Sequence, residues 1–334
     1  ALNWGRRYPS SPPKGRLIMR IEKIKEDFPF IKDDRFPSCH ASTLVEMPNH
    51  NLLCAFYAGA YEGSPDSAIL ASEYQAENAT WLPPKIIADT PNLPEGNPVL
   101  FLDEQGVLWL FFVTMLGKGW DTCKVKYQRS FDLGKSWGQP QILHDELGWM
   151  TRNKPLTLAN GDVILPMYDE RDWTSFFLIS EDKGKSWFPT HKLIAPVGII
   201  QPAVVEREAG ELFAFMRCGS EGKNIWFSRS RDWGRNWTNP QPISLPNPNS
   251  GIDAISLQEG GMILAFNNSS SKRTPLTLAY SEDGYNWEII EDVENEDGEF
   301  SYPCLLQTRD GLLHLTYTYK RVGIKHCIFK ILMH

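Results

Sequence analysis

Four tryptophans, Trp137, Trp187, Trp237 and Trp287, stand 50 residues apart, and each closes nearly the same stretch of chain. Three copies read SFDLGKSW (130–137), SEDKGKSW (180–187) and SRDWGRNW (230–237); the fourth, SEDGYNW (281–287), is one residue shorter between Asp and Gly. A degenerate form, SEYQAENATW, ends at Trp81, 56 residues before the next tryptophan. A period of this length belongs to one supersecondary unit that buries its apolar face only against its neighbours. The octet itself has a mechanical reading. Ser and Asp hydrogen-bond the backbone of a tight turn, Gly permits positive φ there, and Trp buries a large apolar surface at the edge of the unit.

A second element recurs between the octets: an apolar strand, a turn rich in Gly or Asn, and another apolar strand. The six instances are HASTLVEMPNHNLLCAFYAG from His40, NPVLFLDEQGVLWLFFVT from Asn97, KPLTLANGDVILPMYD from Lys154, QPAVVEREAGELFAFMRC from Gln201, DAISLQEGGMILAFNN from Asp253 and YPCLLQTRDGLLHLTYTY from Tyr302. Composition and turn chemistry make each a β-hairpin, and no long segment has helical periodicity. Six hairpins, with about four short strands per period, predict an all-β, six-bladed β-propeller. The blade that opens at Tyr302 runs out of chain after 324–332, IKHCIFKIL. Its missing strand is expected from residues 17–23, LIMRIEK, which would close the ring and remove the free sheet edges. Residues 1–334 therefore read as a single domain.

Charge and cysteine content narrow the function classes. The net charge is −7 at pH 7 and no basic stripe is present, which argues against nucleic acid as a partner. No apolar run approaches the length of a membrane span. The acidic run 291–300, EDVENEDGEF, reads as a solvated loop. The six cysteines are widely spaced, several in apolar strands, and read as buried free thiols, which favours the cytoplasm over a secreted protein stripped of its leader. The histidines show no metal-ligand spacing and no Gly-rich phosphate loop follows a strand, so no metal and no cofactor are expected.

Side chains alternate along a strand, so equivalent positions of the inner strands form rings about a propeller axis. The first residue of each predicted inner strand is His40, Asn97, Lys154, Gln201, Asp253 and Tyr302, all carrying polar groups. Four of them precede Pro, which has no N–H to pair and suits the first position of a strand. The ring is expected to line the central pocket. Asn249 and Ser250, in the NPNSGID stretch, shape its floor or simply make a turn.

The octets resemble the Asp boxes of sialidases and related propellers, and the resemblance covers nearly the whole chain at the level of fold. It implies that Asp132, Asp182, Asp232 and Asp283 are structural, at turns away from the catalytic face. Sialidases hold the substrate carboxylate with three Arg and use a Tyr nucleophile activated by a Glu, with an Asp as acid/base. Tyr302 in FSYPCLLQTRDG resembles the nucleophile, Arg217 in GELFAFMRCG the second Arg, and Arg273 in SSSKRTPLTLAYSEDG the third. His40 stands where the family has its first Arg, and Gln201 where it has the Glu. The loop GAYEGSPDSAIL places Glu62 and Asp66 where the acid/base Asp falls, with Asp253 as a further carboxylate. Lys154, Arg217 and Arg273 put positive charge into an acidic protein, so the expected partner is a glycan or small acidic sugar. Gln201, Asn97 and His326, the last beside Arg321 and Lys325, complete the expected substrate-binding set. The resemblance implies an exo-acting glycoside hydrolase on a sialic- or uronic-acid glycan. The departures at His40 and Gln201 leave two alternatives: a uronate lyase using His40 and Tyr302 as base and acid, or a propeller that binds glycans without chemistry.

Overall fold

The structure, a computed structural model, describes residues 19–333. Six antiparallel sheets follow one another along the chain as the blades of a propeller. Blade 1 runs through Ser38–Glu46, Leu52–Gly59 and Ala68–Gln75, with two short outer strands, and blade 2 through Glu95–Leu102, Leu108–Met115, Cys123–Ser130 and Gln141–Ile142. Blade 3 has a broken inner strand, Trp149–Thr151 and Leu156–Thr157, followed by Val163–Asp169, Thr174–Ser180 and Phe188–Pro189. Blade 4 is Ile199–Glu208, Glu211–Cys218, Asn224–Ser230 and Gln241–Pro246; blade 5 is Asp253–Ser256, Met262–Asn267, Leu276–Ser281 and Glu288–Glu294. Blade 6 is built from both ends of the described chain: Phe300–Gln307, Leu313–Tyr319, Gly323–Met333 and, outermost, Met19–Ile31.

The closing strand is longer than the sequence pattern suggests. It pairs antiparallel with Gly323–Met333 from Met19 opposite Met333 to Ile31 opposite Gly323. Residues 17 and 18 of the expected strand lie outside the described residues. The acidic run departs from expectation in its first half, which forms part of the outer strand Glu288–Glu294 of blade 5 rather than a loop. Only Val293 there is buried, so the strand keeps its acidic side chains on the wet side of the sheet.

The repeated octets tie each blade to the one before it. In the first, Ser130 Oγ donates to Asp132 Oδ1 at 2.8 Å and accepts from Gly134 N at 2.7 Å, while Asp132 takes Ser136 N at 2.8 Å and Ser136 Oγ at 2.6 Å. The same bonds recur around Asp182, and with Asn in place of the second Ser around Asp232 and Asp283. The glycines sit at positive φ against side chains of the preceding blade: Gly134 beside Leu53, Gly184 beside Trp109, Gly234 beside Ile164 and Gly284 beside Phe213. The tryptophans follow suit, Trp237 stacking on Phe177 at 4.4 Å and Trp287 meeting Phe215 edge-on at 5.3 Å. The hydrogen bonds from Ser136 and Ser186 hold the Asp132 and Asp182 carboxyls at about 2, so both are ionised acceptors at any working pH.

The inner strands carry the feature that positions the site. In blades 1, 2, 4 and 6 the ladder slips near the start of the inner strand, between His40 and Thr43, Gly96 and Val99, Ile200 and Ala203, and Ser301 and Cys304. At each slip one residue takes left-handed backbone: Ala41 (φ 55°), Asn97 (45°), Gln201 (54°) and Tyr302 (53°). Three of these precede Pro. The missing N–H therefore marks a bulge inside the strand, not its first residue, and the strands start earlier than the Pro pattern suggested. The bulge turns its residue out of the alternation and toward the axis. In blade 1 the equivalent residue is Ala41, so His40 sits one position before it.

Candidate active site

Tyr302 lies at the centre of the polar groups that converge near the axis. The residue is 8% exposed, and its hydroxyl accepts a hydrogen bond from Arg217 Nη1 at 2.8 Å. Arg217 comes from the end of the second strand of blade 4 and is itself buried. The same Nη1 donates to Gln201 Oε1 at 3.1 Å, and Arg217 Nε donates to Asn249 Oδ1 at 2.8 Å. Gln201 and Asn97 in turn direct their amides to the Tyr168 hydroxyl, at 3.4 and 3.0 Å. A continuous network thus joins three bulge residues, Asn97, Gln201 and Tyr302, through Tyr168 and Arg217.

Three guanidinium groups lie over the Tyr302 ring: Arg152 at 5.1 Å, Arg273 at 5.5 Å and Arg217 at 5.9 Å from its centroid. Burial alone would raise the phenol pKa; the charges of Arg217 and Arg273 outweigh it and bring the hydroxyl below its usual range. Arg152, in the break of blade 3's inner strand, donates to the carbonyls of Tyr302 at 2.9 Å and Pro303 at 3.3 Å, and so braces the left-handed bulge from below.

His40 meets the other side of Tyr302, ring centroids 4.4 Å apart. It is 2% exposed, and neither ring nitrogen has a hydrogen-bond partner. Burial first, then the charges of Arg321, Arg273, Arg152 and Arg217, hold its pKa well below the usual histidine value, so the ring is neutral. An aromatic wall continues from His40 to Tyr57 at 5.7 Å and on to Trp120 at 6.4 Å.

Above this floor, Glu299 binds two cations: Arg273 Nη1 at 2.8 Å and Arg321 Nε at 2.8 Å. Arg321 also pairs with Glu62 across the mouth, and its carbonyl accepts from Cys39 N at 3.0 Å, directly beside His40. A fourth arginine, Arg321, therefore stands next to His40, supplied by the last turn of blade 6 rather than by blade 1.

The remaining expected residues separate into two groups. Glu62 is at the mouth, paired with Arg321. Asp66 is exposed and accepts Ala60 N at 3.2 Å; its bond with Ser64 keeps its carboxyl below the ordinary range. Lys154 and Asp253 do not join Tyr302. They form a buried ion pair of 2.6 Å, with Asp253 Oδ2 also accepting Leu305 N at 2.7 Å, and line the opposite opening of the channel with Glu206, Gln258 and Gln307. The reason is the bulge: blades 3 and 5 lack it at these residues, so their side chains follow the ordinary alternation below the floor. His326 is also elsewhere, fully buried in blade 6, where it bonds His314 Nδ1 at 2.9 Å and Asp27 Oδ1 at 2.8 Å. A third-strand residue inside a blade faces the neighbouring blade, not the axis.

Sequence reasoning passed over Arg152, Glu299 and Glu170. Arg152 had a signal, a cation two residues before the Lys154–Pro155 step, but the bulge pattern points at Lys154. Glu299 lies in the acidic run, where nothing distinguishes it from its neighbours. Glu170 lies just past a strand end, with burial first among the causes that raise its pKa to about 7. Among the described residues no His, Cys, Asp and Glu cluster could hold a metal ion, and no helix is long and apolar enough to cross a membrane.

The architecture has many solved counterparts. A protein of unknown function from Dyadobacter fermentans superposes with a TM-score of 0.79 at 17% identity, over 93% of this chain and 99% of that one. The intramolecular trans-sialidase of Ruminococcus gnavus gives 0.77 at 15% identity, over 92% and 98%. The α-L-arabinanase of Penicillium chrysogenum gives 0.70 at 18%, over 92% and 98%. No curated protein matches the sequence. At these identities the likeness is one of fold, shared by sialidases and an arabinanase alike. The BNR repeat-like domain model matches residues 50–315, most of the chain and every full copy of the octet, so this six-bladed propeller belongs to the BNR repeat-like domain family.

Proposed function

We propose that the protein is an exo-acting glycoside hydrolase that removes an acidic sugar, a sialic or uronic acid, from the end of a glycan. The observation that carries this reading is the 2.8 Å bond from Arg217 to the Tyr302 hydroxyl, with Arg152 and Arg273 over the same ring. Three cations around one phenol favour its phenolate, which is a nucleophile. A tyrosine also suits a substrate that brings its own carboxylate, because a carboxylate nucleophile would be repelled. In this reading Tyr302 Oη attacks the anomeric carbon, the bond to the departing glycan breaks, and water later releases the sugar from Tyr302. Arg217, Arg273 and Arg321 seat the substrate carboxylate through charge-assisted hydrogen bonds.

One observation favours a second reading. Gln201 is an amide that cannot accept a proton from Tyr302 as a Glu would. His40, by contrast, is neutral, with both nitrogens unpartnered against the Tyr302 ring. In a uronate lyase His40 would take the proton beside the carboxylate, the arginines would stabilise the enolate-like charge, and Tyr302 would protonate the leaving oxygen.

A screen on sialosides and uronic-acid glycans decides between them. Sugar release that survives His40→Ala and is lost in Tyr302→Phe supports the hydrolase. An unsaturated, ultraviolet-absorbing product that requires His40 supports the lyase. Binding without turnover on every glycan leaves a binding propeller and overturns both.

A further inference from the structure

We infer that Glu170 is the proton donor to the leaving oxygen, the acid that works opposite Tyr302; this rests on the hydrolase reading above. Val163–Asp169 is the second strand of blade 3, and Tyr168 on it points to the axis, where its hydroxyl takes Asn97 and Gln201. Glu170 follows two residues later, just past the strand end, and its N–H still pairs with Gly148 O across the ladder, which carries the strand's alternation on to it and puts it on the Tyr168 face. The residue between them is clamped on the opposite face. The Asp169 carboxylate accepts Arg171 Nε at 2.9 Å, Arg171 Nη2 at 2.7 Å and Lys192 Nζ at 2.8 Å. Glu170 N donates to Gly148 O at 2.8 Å, and Trp173 N to Asp169 O at 2.9 Å. The backbone that presents Glu170 is therefore fixed on both sides.

The carboxyl of Glu170 accepts no hydrogen bond from any described residue, unlike Glu62, Asp66, Glu299 and Asp253. Its neighbours are one cation and several acids. Arg217 of blade 4 attracts it, while Asp121 of the 3₁₀ turn Trp120–Thr122, Asp169 and Glu62 repel its charge; Cys123 and Tyr168 also stand within its field. Burial is the largest cause and the acids add to it, so the carboxyl is held at about 7 and a large share of it keeps its proton at neutral pH. The guanidinium that binds the Tyr302 hydroxyl also lies 5.8 Å from the ring of Trp173, three residues after Glu170 in the same connection, so the segment that carries Glu170 borders the nucleophile's cation.

The step balances. As Tyr302 Oη bonds the anomeric carbon, the electron pair of the breaking C–O bond moves to the glycosidic oxygen, which takes the Glu170 proton and leaves as an alcohol. Glu170 carboxylate then takes a proton from the water that attacks the same carbon and frees Tyr302.

The test compares wild type with Glu170→Gln on two substrates of each acidic sugar, a 4-nitrophenyl glycoside and a methyl glycoside of sialic and of glucuronic acid. A nitrophenolate leaves without help and a methoxide does not. Glu170→Gln should lower kcat/KM on the methyl glycoside by a hundredfold or more, the low end of about 10²–10⁴ for a lost general acid. kcat/KM on the aryl glycoside, which reports only the step that forms the Tyr302 bond, should change by less than about tenfold, and the alkaline limb of the wild-type profile near pH 7 should vanish. Equal losses on both glycosides with the alkaline limb intact would overturn the role of Glu170 and leave the hydrolase standing. No hydrolysis of any of the four by wild type would overturn the hydrolase reading and this inference with it. Difference infrared titration of wild type against Glu170→Gln gives an answer without turnover: a carboxyl titrating near 7 is expected, and one titrating in the ordinary range overturns the assignment.

Discussion

Arg217 divides one guanidinium among Asn249, Gln201 and the Tyr302 hydroxyl. A lysine at this position would offer a point charge that cannot hold the three in a plane. Arg217→Lys should therefore lower turnover by about a hundredfold, as for one lost donor in a preorganised site. It should also return the Tyr302 phenol toward its ordinary pKa. Steady-state kinetics and difference titration against Tyr302→Phe check both. Tyr302, Arg217 and Arg273 were legible in the sequence because each lies at a fixed offset from a repeat: the first in a bulge before Pro, the others at hairpin strand ends. Arg321, beside His40, was noticed only for its nearness to His326, since nothing in RVGIKHC tells which way the turn aims it.

At the scale of the element, the octet turn and the bulge do different work at opposite ends of a blade. The octet fastens a blade to its predecessor far from Tyr302. Trp237→Ala should cost about 2 kcal/mol, below the usual range for a core aromatic because Trp237 is only partly buried. Denaturant unfolding should record that loss, while kcat/KM stays within twofold of wild type. The bulge, in contrast, belongs to the site, and it explains why the expected ring of six is incomplete. A Pro after the ring position was present in four blades, yet in blade 3 the strand breaks instead of bulging. Lys154 then falls to the far opening, and Arg152 takes the place under Tyr302.

The whole molecule is closed by a clasp in blade 6, where Asp27 of the first described strand meets His326, and His326 meets His314. Burial holds both histidines below their usual range, His314 at about 3, so they are neutral in the fold. An unfolded chain would take up their protons near pH 6.5. Their contribution is therefore complete above that pH and is lost progressively as pH falls toward 3. Thermal unfolding across this window should show a Tm that falls with acidification, with a shallower slope in His314→Gln. A wild-type Tm that is flat from pH 7 to 4 would contradict the clasp.

The sequence by itself determined the architecture, because a ring of blades is a consequence of period, turn chemistry and strand alternation, all written locally and repeated. It also singled out Tyr302, Arg217 and Arg273 by their resemblance to the sialidase pattern. Only the tertiary structure decided which polar residues share a pocket. Lys154, Asp253 and His326 have the same composition of neighbours as true pocket residues, but one residue of register, or one strand of depth, sends a side chain to another face. Glu299 and Arg321 are brought to Arg273 and His40 by ring closure alone. Contacts of that kind join residues 22 to 259 positions apart, and no local pattern records them.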